Sequence, residues 1–110
     1  KDVISDNSNN NGTVGLNNNT SINKTVLYQN RPNPFNERTI IEYEIEDNNF
    51  SSASIIIFDM NGILLKSFPI NATGKNQLTI NGSELKAGMY IYSLIVNNKE
   101  VDTKRMILLK

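Results

Sequence analysis

The alternation of apolar and polar residues from Thr39 onward predicts β-strands. In TIIEYEIE, residues 39–46, isoleucine and tyrosine alternate with glutamate. A period of two with β-branched and aromatic side chains is typical of a strand with one buried face. ASIIIFD, residues 53–59, is a nearly unbroken apolar run, which predicts a central strand covered on both faces. MYIYSLIV, residues 89–96, alternates again and is expected to place one set of side chains inward: Tyr90, Tyr92, Leu94 and Val96.

Short polar stretches between these runs predict turns. DMNG, residues 59–62, predicts a tight turn in which Asn61 and Gly62 supply the positive φ of a primed hairpin. ILLKSFPI then returns antiparallel, and Pro69 indicates an edge strand. QLTI is expected to form a short strand with Leu78 and Ile80 inward, and Leu85 is expected to enter the core from the following connection. NNKE predicts a hairpin turn before the last strand, VDTKRMILLK. Six or so short strands without a helix of useful length predict an antiparallel β-sandwich.

Residues 1–25 have a different composition from the remainder. Nine of the first thirty residues are Asn, and Ser, Thr and Gly fill most gaps. Such a stretch has too little apolar surface to offset the entropy lost on ordering, so we interpret residues 1–25 as a flexible Asn-rich linker and residues 26–110 as the folded domain. The alternatives are an interaction tail that orders only on a partner and a prion-like aggregating segment.

The boundary between the two parts is the stretch RPNPF, residues 31–35. Proline fixes φ near about −65° and disfavours helix in the residue before it. Asn33 and Pro34 favour a turn, and Phe35 is the expected anchor in the core. This stretch therefore predicts the turn that opens the fold.

Composition excludes several classes of function. The formal net charge is zero, which removes the electrostatic argument for binding nucleic acid or an anionic membrane. The chain has no Cys and no His, so thiolate sites are excluded and the commonest general base is missing. No apolar run is long enough to span a bilayer, and Lys1 opens a polar stretch that does not resemble a signal peptide. We therefore expect no cofactor, no metal and no enzyme activity, and we expect the chain to be the end of a longer protein.

Three sets of residues suggest chemistry but have simpler interpretations. The glutamates of TIIEYEIE lie on the solvent face of one strand, where carboxylates are hydrated. Asp59 begins a stretch similar to a calcium loop, but the later bidentate Glu is missing at its spacing. The four tyrosines could form a sugar-stacking platform, although two of them alternate on one strand and core packing explains that spacing. The tyrosines keep open a carbohydrate-binding or adhesin-type sandwich as the alternative function.

Four stretches in order resemble the C-terminal sorting domain of the type IX secretion system of Bacteroidetes. QNRPNPFN, residues 29–36, is similar to its start, and IIIFDMNGILLKSF, residues 55–68, resembles its strand–Asp–x–x–Gly–strand hairpin. LKAGMYIYSLIV, residues 85–96, resembles its Leu–x–x–Gly–x–Tyr–x–Tyr stretch, and KRMILLK, residues 104–110, resembles its terminus. The resemblance marks as sorting-signal residues Pro32, Asn33, Pro34, Phe35, Asp59, Gly62, Gly88, Tyr90, Tyr92, Lys104, Arg105, Met106 and Lys110.

The resemblance implies a fold and a function beyond the strand pattern. Such domains are small immunoglobulin-like sandwiches of about seven strands, carried behind secreted cargo. It implies three partners besides the cargo in the same chain: the outer-membrane translocon channel, its β-barrel shuttle protein and a sortase-like surface peptidase that removes the domain. The expected destination is the cell surface or the medium, and residues 1–25 would be the tether in which cleavage takes place.

The last strand is the expected contact for such machinery. Residues 106–109 are apolar on both faces and are bracketed by Lys104, Arg105 and Lys110. These charges discourage aggregation through an open strand edge, and they also offer contacts to a translocon. Addition of a partner strand to this edge is one available docking mode.

Overall fold

Seven β-strands form in the part of the chain that the computed structural model describes, residues 25–46 and 50–110. Of the predicted linker, residues 1–24 lie outside the described residues. A single turn of 3₁₀ helix, Gly82–Glu84, connects the fifth and sixth strands. The strands are β1 Val26–Leu27, β2 Arg38–Ile45, β3 Ala53–Asp59, β4 Leu64–Pro69, β5 Gly74–Asn81, β6 Gly88–Val96 and β7 Lys99–Leu108.

The strands form two antiparallel sheets that face each other. Sheet 1 has the order β1–β2–β5, and sheet 2 has the order β4–β3–β6–β7. This arrangement confirms the predicted all-β, immunoglobulin-like sandwich. In constant-type immunoglobulin domains the fourth strand joins the sheet of the first, second and fifth strands, whereas here β4 joins the sheet of β3, β6 and β7.

The core lies between the two sheets and is built by the alternation seen in the sequence. Ile41 and Ile45 of β2 and Ile55 and Ile57 of β3 are fully buried. The four predicted inward residues of β6 are all buried as well: Tyr90, Tyr92, Leu94 and Val96. Burial of one aliphatic side chain contributes about 1.5–3 kcal/mol, so this two-sided core supplies most of the stabilisation of the sandwich.

The predictions for the core residues of the connections and of β5, and for the edge position of β4, are also confirmed. Phe35 is 1% exposed and Leu85 is 8% exposed. Ile80 is buried and Leu78 packs against the core, although β5 is longer than the predicted QLTI. Pro69 ends β4, which lies at the edge of sheet 2 as predicted.

The prediction that β3 is covered on both faces is wrong. The strand is central in sheet 2, but only Ala53, Ile55 and Ile57 are buried, whereas Ile56 and Phe58 are half-buried. The reason is that an antiparallel sheet of a two-layer sandwich has one covered face and one face toward solvent. An apolar run therefore did not discriminate between full and one-sided burial.

The turn prediction for Asn61 is also wrong, and a primed hairpin turn occurs elsewhere. Gly62 has a φ of 83°, but Asn61 is not among the described residues with positive φ. The Asp59 carboxylate accepts hydrogen bonds from the backbone N–H groups of Asn61 and Ile63, both at 2.9 Å, which favours an ordinary turn followed by a left-handed glycine. The two-residue primed turn is at Asn97 and Asn98, with φ values of 52° and 66°.

Candidate functional site

Residues 28–35 form an extended segment, here called the strap, that first pairs with sheet 1. Tyr28 N–H donates to the Glu42 carbonyl at 3.0 Å. Arg31 and Ile40 exchange both backbone hydrogen bonds, at 2.9 and 3.0 Å. The strap therefore extends β1 along the edge of β2 as far as Arg31.

Beyond Arg31 the strap crosses to sheet 2 and pairs with the last strand. Phe35 N–H donates to the Ile107 carbonyl at 2.9 Å, and Leu109 N–H donates to the Phe35 carbonyl at 2.8 Å, which makes a parallel bridge. The side chain of Asn33 accepts the Ile107 N–H at 2.9 Å. The crossing passes through Pro32 and Pro34, and the peptide bonds before both prolines are cis.

The outer edge of β7 is therefore occupied over its last third. The Gln29 amide also donates to the Arg105 carbonyl at 2.6 Å, so strap bonds reach from Arg105 to Leu109. Unpaired edge groups are what an added strand needs. The predicted docking of a partner strand on this stretch is not available in this conformation, because the chain's own strap holds those positions.

A buried polar cluster holds the crossing in place. Asn30 is 1% exposed and Thr39 is fully buried. The Asn30 amide donates to the Thr39 hydroxyl at 2.9 Å and to the Pro32 carbonyl at 3.1 Å, and the Thr39 hydroxyl donates to the same carbonyl at 2.7 Å. Buried polar groups that are fully bonded to one another fix a single local geometry.

Tyr92 links this cluster to the centre of sheet 2. Its hydroxyl accepts the Asn30 N–H at 2.7 Å and donates to the Tyr28 carbonyl at 2.8 Å. Burial raises the pKa of Tyr92 to about 12, the hydrogen bond from the Asn30 N–H opposes this rise, and the negative charge of the Asp102 carboxylate adds to it. Tyr92 is thus a neutral, fully buried side chain whose hydroxyl joins β6 to the strap through two hydrogen bonds.

The end of the chain is held from the other side as well. Phe35, Met106 and Leu108 are all buried in the core. Gly82 packs so closely that a Cβ there would lie 2.7 Å from the Asn36 carbonyl oxygen and 2.8 Å from a methyl carbon of Leu108. The Lys110 ammonium donates to the Leu85 carbonyl at 2.6 Å, which ties the last residue to the connection before β6.

The motifs singled out in the sequence meet at one end of sheet 2. Asp59 of β3 lies opposite Tyr90 of β6, and Tyr90 lies opposite Met106 of β7. Gly88 is paired with Leu108, which in turn bridges to Phe35. The structure therefore brings the strap, the start of β6 and the end of β7 together, with Gly62 in the adjoining hairpin loop.

The basic residues near the chain end have different surroundings. Lys104 forms an ion pair with Asp102 at 3.3 Å and is partly buried. Arg105 is exposed and its guanidinium makes no hydrogen bond or ion pair with the described residues. Of this pair, only the Arg105 side chain is therefore open to an outside partner.

The alternative sites suggested by the sequence are not supported by the geometry. Tyr43, Tyr90 and Tyr92 are buried, and the Tyr90 hydroxyl donates to the Lys86 carbonyl, so these side chains form no surface platform for sugars. The Asp59 carboxylate closes its own turn, and the described residues contain no cluster of three or more potential metal ligands. The glutamates of β2 were expected only to be hydrated, but Glu42 forms an ion pair with Arg31 at 3.0 Å. No helix in the described part of the chain has the length and apolarity to cross a membrane.

Sequence reasoning missed the residues that fix the strap: Gln29, Asn30 and Thr39. Their polar side chains flank the two prolines and look like ordinary turn residues. A possible signal was the alternation itself, because Thr39 shares the inward face with Ile41, and an inward Thr requires a buried hydrogen-bond partner.

Comparisons with known proteins give one family and one weak structural likeness. The family model described as secretion system C-terminal sorting domain matches residues 31–109. No curated protein matches the chain. Among solved structures, the chain is similar to Pseudomonas fluorescens alkylpurine DNA glycosylase AlkC bound to DNA containing an abasic site analog, with 14% identity and a TM-score of 0.45. That likeness covers 79% of this chain and 31% of the glycosylase chain.

Proposed function

The chain belongs to the family of secretion system C-terminal sorting domains, and on that premise we propose that it directs attached cargo through the type IX outer-membrane translocon. The family is one of sorting signals and not of enzymes, and membership implies export to the cell surface or the medium. It also implies interaction with the type IX machinery and a cargo carried in the same protein.

The observation that carries this proposal is where the family match lies on the fold. The match begins at Arg31, the last strap residue that pairs with sheet 1, and ends at Leu109, whose N–H donates to the Phe35 carbonyl. It thus encloses strands β2 to β7 together with the strap crossing. We propose that this end of the fold carries the signal, through the residues that the resemblance marked: Pro32, Asn33, Pro34, Phe35, Asp59, Gly62, Gly88, Tyr90, Tyr92, Lys104, Arg105, Met106 and Lys110.

In this proposal the geometry presents a rigid surface and performs no chemistry. The strap and β7 are distant in sequence, and their contact exists only in the folded domain. A channel and its β-barrel shuttle would therefore recognise the folded sandwich. A sortase-like peptidase of the cell surface would then cut within residues 1–25, because the sequence there is rich in Asn and has few apolar residues to bury, as expected of a protease-accessible segment.

Export of a fusion protein tests the proposal. A periplasmic reporter with its own inner-membrane signal is placed before the 110-residue chain in a bacterium with a working type IX system. We expect the reporter outside the cell, and in the periplasm of the same strain without the translocon channel. Retention of a folded fusion in the periplasm of the strain with the working system would contradict the proposal. The mass of the exported reporter shows whether cleavage falls in residues 1–25.

A further inference from the structure

The outer face of sheet 2 carries a contiguous apolar patch at the end where the motifs meet. We call it the outer patch. None of its members contributes to the buried core between the sheets, and each is exposed or half-buried. The members are Phe58 of β3, Leu64 of β4, Met89 and Ile91 of β6, and Ile107 of β7.

Strand register makes these side chains neighbours. Phe58 lies opposite both Leu64 and Ile91, one on each side of β3. Met89 lies opposite Ile107 and is two residues from Ile91, on the same face of β6. The five side chains therefore span all four strands of the sheet.

The hairpin loop before β4 enlarges the apolar surface. Met60 and Ile63 of this loop are 49% and 57% exposed, and Leu64 and Leu65, the first two residues of β4, are 54% and 41% exposed. Single exposed apolar residues are ordinary, but a contiguous group on one sheet face indicates an interaction site. Two methionines suit such a surface, since their side chains adapt to a partner.

The charge around the outer patch indicates what covers it. Arg105 lies opposite Ile91 in the same row, and its guanidinium is open to solvent. The carboxylate nearest in sequence to the hairpin tip, Asp59, accepts two backbone N–H groups of its own turn. The surface is thus apolar with a cation at its rim, and its complement is an apolar protein surface with a carboxylate facing Arg105.

A second copy of the chain fits less well. A twofold interface would bring the same patch from both copies together, with two arginines and no unengaged carboxylate of the patch to pair with them. The outer patch is also continuous with the candidate site, because the strap bonds the backbone of Arg105 through Gln29. The strap thereby fixes the position from which Arg105 projects.

We propose that the outer patch is the surface on which the export machinery docks, through an apolar protein surface that carries a carboxylate. This inference rests on the proposed function and deepens it. The strap would keep the outer edge of β7 occupied, and the export machinery would bind the outer face of sheet 2 instead of that strand edge.

Binding to the purified translocon complex with its shuttle protein, immobilised from detergent, tests the inference. The double variant L64S/M89S removes two exposed apolar side chains, and V101S is its control, since Val101 is 40% exposed at the opposite end of β7. We expect the double variant to bind at least tenfold more weakly and V101S to bind like the unaltered chain.

A charge reversal separates the cation from the apolar surface. R105E is expected to weaken binding at least fivefold and to remove its dependence on salt, whereas R105K retains both. The control is R38E, the same change at an exposed position of sheet 1. Equal binding by R105E and R38E would overturn the role of Arg105.

Two measurements identify other occupants. Loss of concentration-dependent dimerisation in L64S/M89S, by sedimentation, would make the outer patch a contact between copies. Loss of binding to vesicles of phosphatidylglycerol and phosphatidylcholine would make it a membrane contact. Either result, without an effect on translocon binding, overturns the proposal.

The reporter fusion distinguishes failure of this inference from failure of the proposed function. If the unaltered fusion is exported and the L64S/M89S fusion is exported equally well, only the docking surface is wrong. If the unaltered fusion stays in the periplasm, the proposed function itself is wrong. Export lost in L64S/M89S and kept in V101S, with both folded, supports the inference even when binding to the detergent-purified complex is too weak to measure.

Discussion

Replacement of Tyr92 by Phe tests whether the strap is held from inside the sandwich. The variant keeps the ring that fills the core and removes only the hydroxyl. That hydroxyl accepts the Asn30 N–H at 2.7 Å and donates to the Tyr28 carbonyl at 2.8 Å. Both lost bonds belong to the segment that joins the two sheets, so the change acts directly on the strap.

The cost follows from how well water can replace the hydroxyl. Asn30 is 1% exposed, and a buried donor left without a partner costs about 1–3 kcal/mol. The Tyr28 carbonyl is an acceptor in a partly buried hydrogen bond of a residue that is 37% exposed, so we expect its loss to add less, about 0.5 kcal/mol. We therefore expect Y92F to lower the free energy of unfolding by about 2 kcal/mol, a large part of the roughly 5–15 kcal/mol of a typical domain.

Urea unfolding followed by circular dichroism measures this loss, and Y90F is the matched control. The Tyr90 hydroxyl donates to the carbonyl of Lys86, an exposed residue, so its removal should cost less than about 1 kcal/mol. Hydrogen exchange should become faster in Y92F at the strap-bonded amides of Arg31, Phe35 and Leu109. A Y92F chain as stable as Y90F, with unchanged exchange at these amides, would refute the role assigned to Tyr92.

Three further predictions concern the same region. Burial raises the pKa of Tyr92 to about 12 from an ordinary value near 10, so the stability that neutral Tyr92 contributes is complete below about pH 10 and is lost as pH rises toward 12, by up to about 3 kcal/mol. Urea unfolding across this pH range should therefore show a smaller loss of stability in Y92F than in the unaltered chain. An equal loss in both would contradict this prediction. G82A should destabilise the domain by about 1–3 kcal/mol, since its Cβ would meet the Asn36 backbone at 2.7 Å, while S83A at the exposed neighbour should change unfolding little. Deletion of residues 104–110 removes strap partners and the buried Met106, so we expect loss of cooperative unfolding and of reporter export, and unchanged secretion of the truncated fusion would contradict this.

Much of the sandwich was predictable because the alternation of apolar and polar residues within a strand shows which of its side chains are buried. Residues 39–46 alternate in sequence, and β2 alternates in the structure with Ile41 and Ile45 inward. The anchors Phe35 and Leu85 were also predictable, since each is an isolated large apolar residue in a polar stretch. Local patterns of this kind need no knowledge of which strands are neighbours.

The strap contacts were not predictable because they depend on partners far along the chain. Asn33 bonds Ile107 across 74 residues, and Asn30 bonds Tyr92 across 62. Nothing in the composition of RPNPF distinguishes a turn that only opens the fold from a segment that also covers the last strand. The prediction that both faces of β3 are covered failed for a related reason: an apolar outer face has the same sequence whether another layer covers it or it faces solvent.

The pairing of the strap with β7 bears on how a folded signal is read. Closing a long loop costs entropy that only the completed sandwich offsets, so the contacts of Phe35 with Ile107 and Leu109 report that the chain between them has folded. Arg105 takes its place in the outer patch through the same strand, and its carbonyl is held by Gln29. Under the proposed function, a receptor that docks on the outer patch meets a correctly placed Arg105 only when the strap is closed. If the receptor docks on the sheet face as proposed, it would select cargo whose sorting domain is fully folded, without contacting the strap.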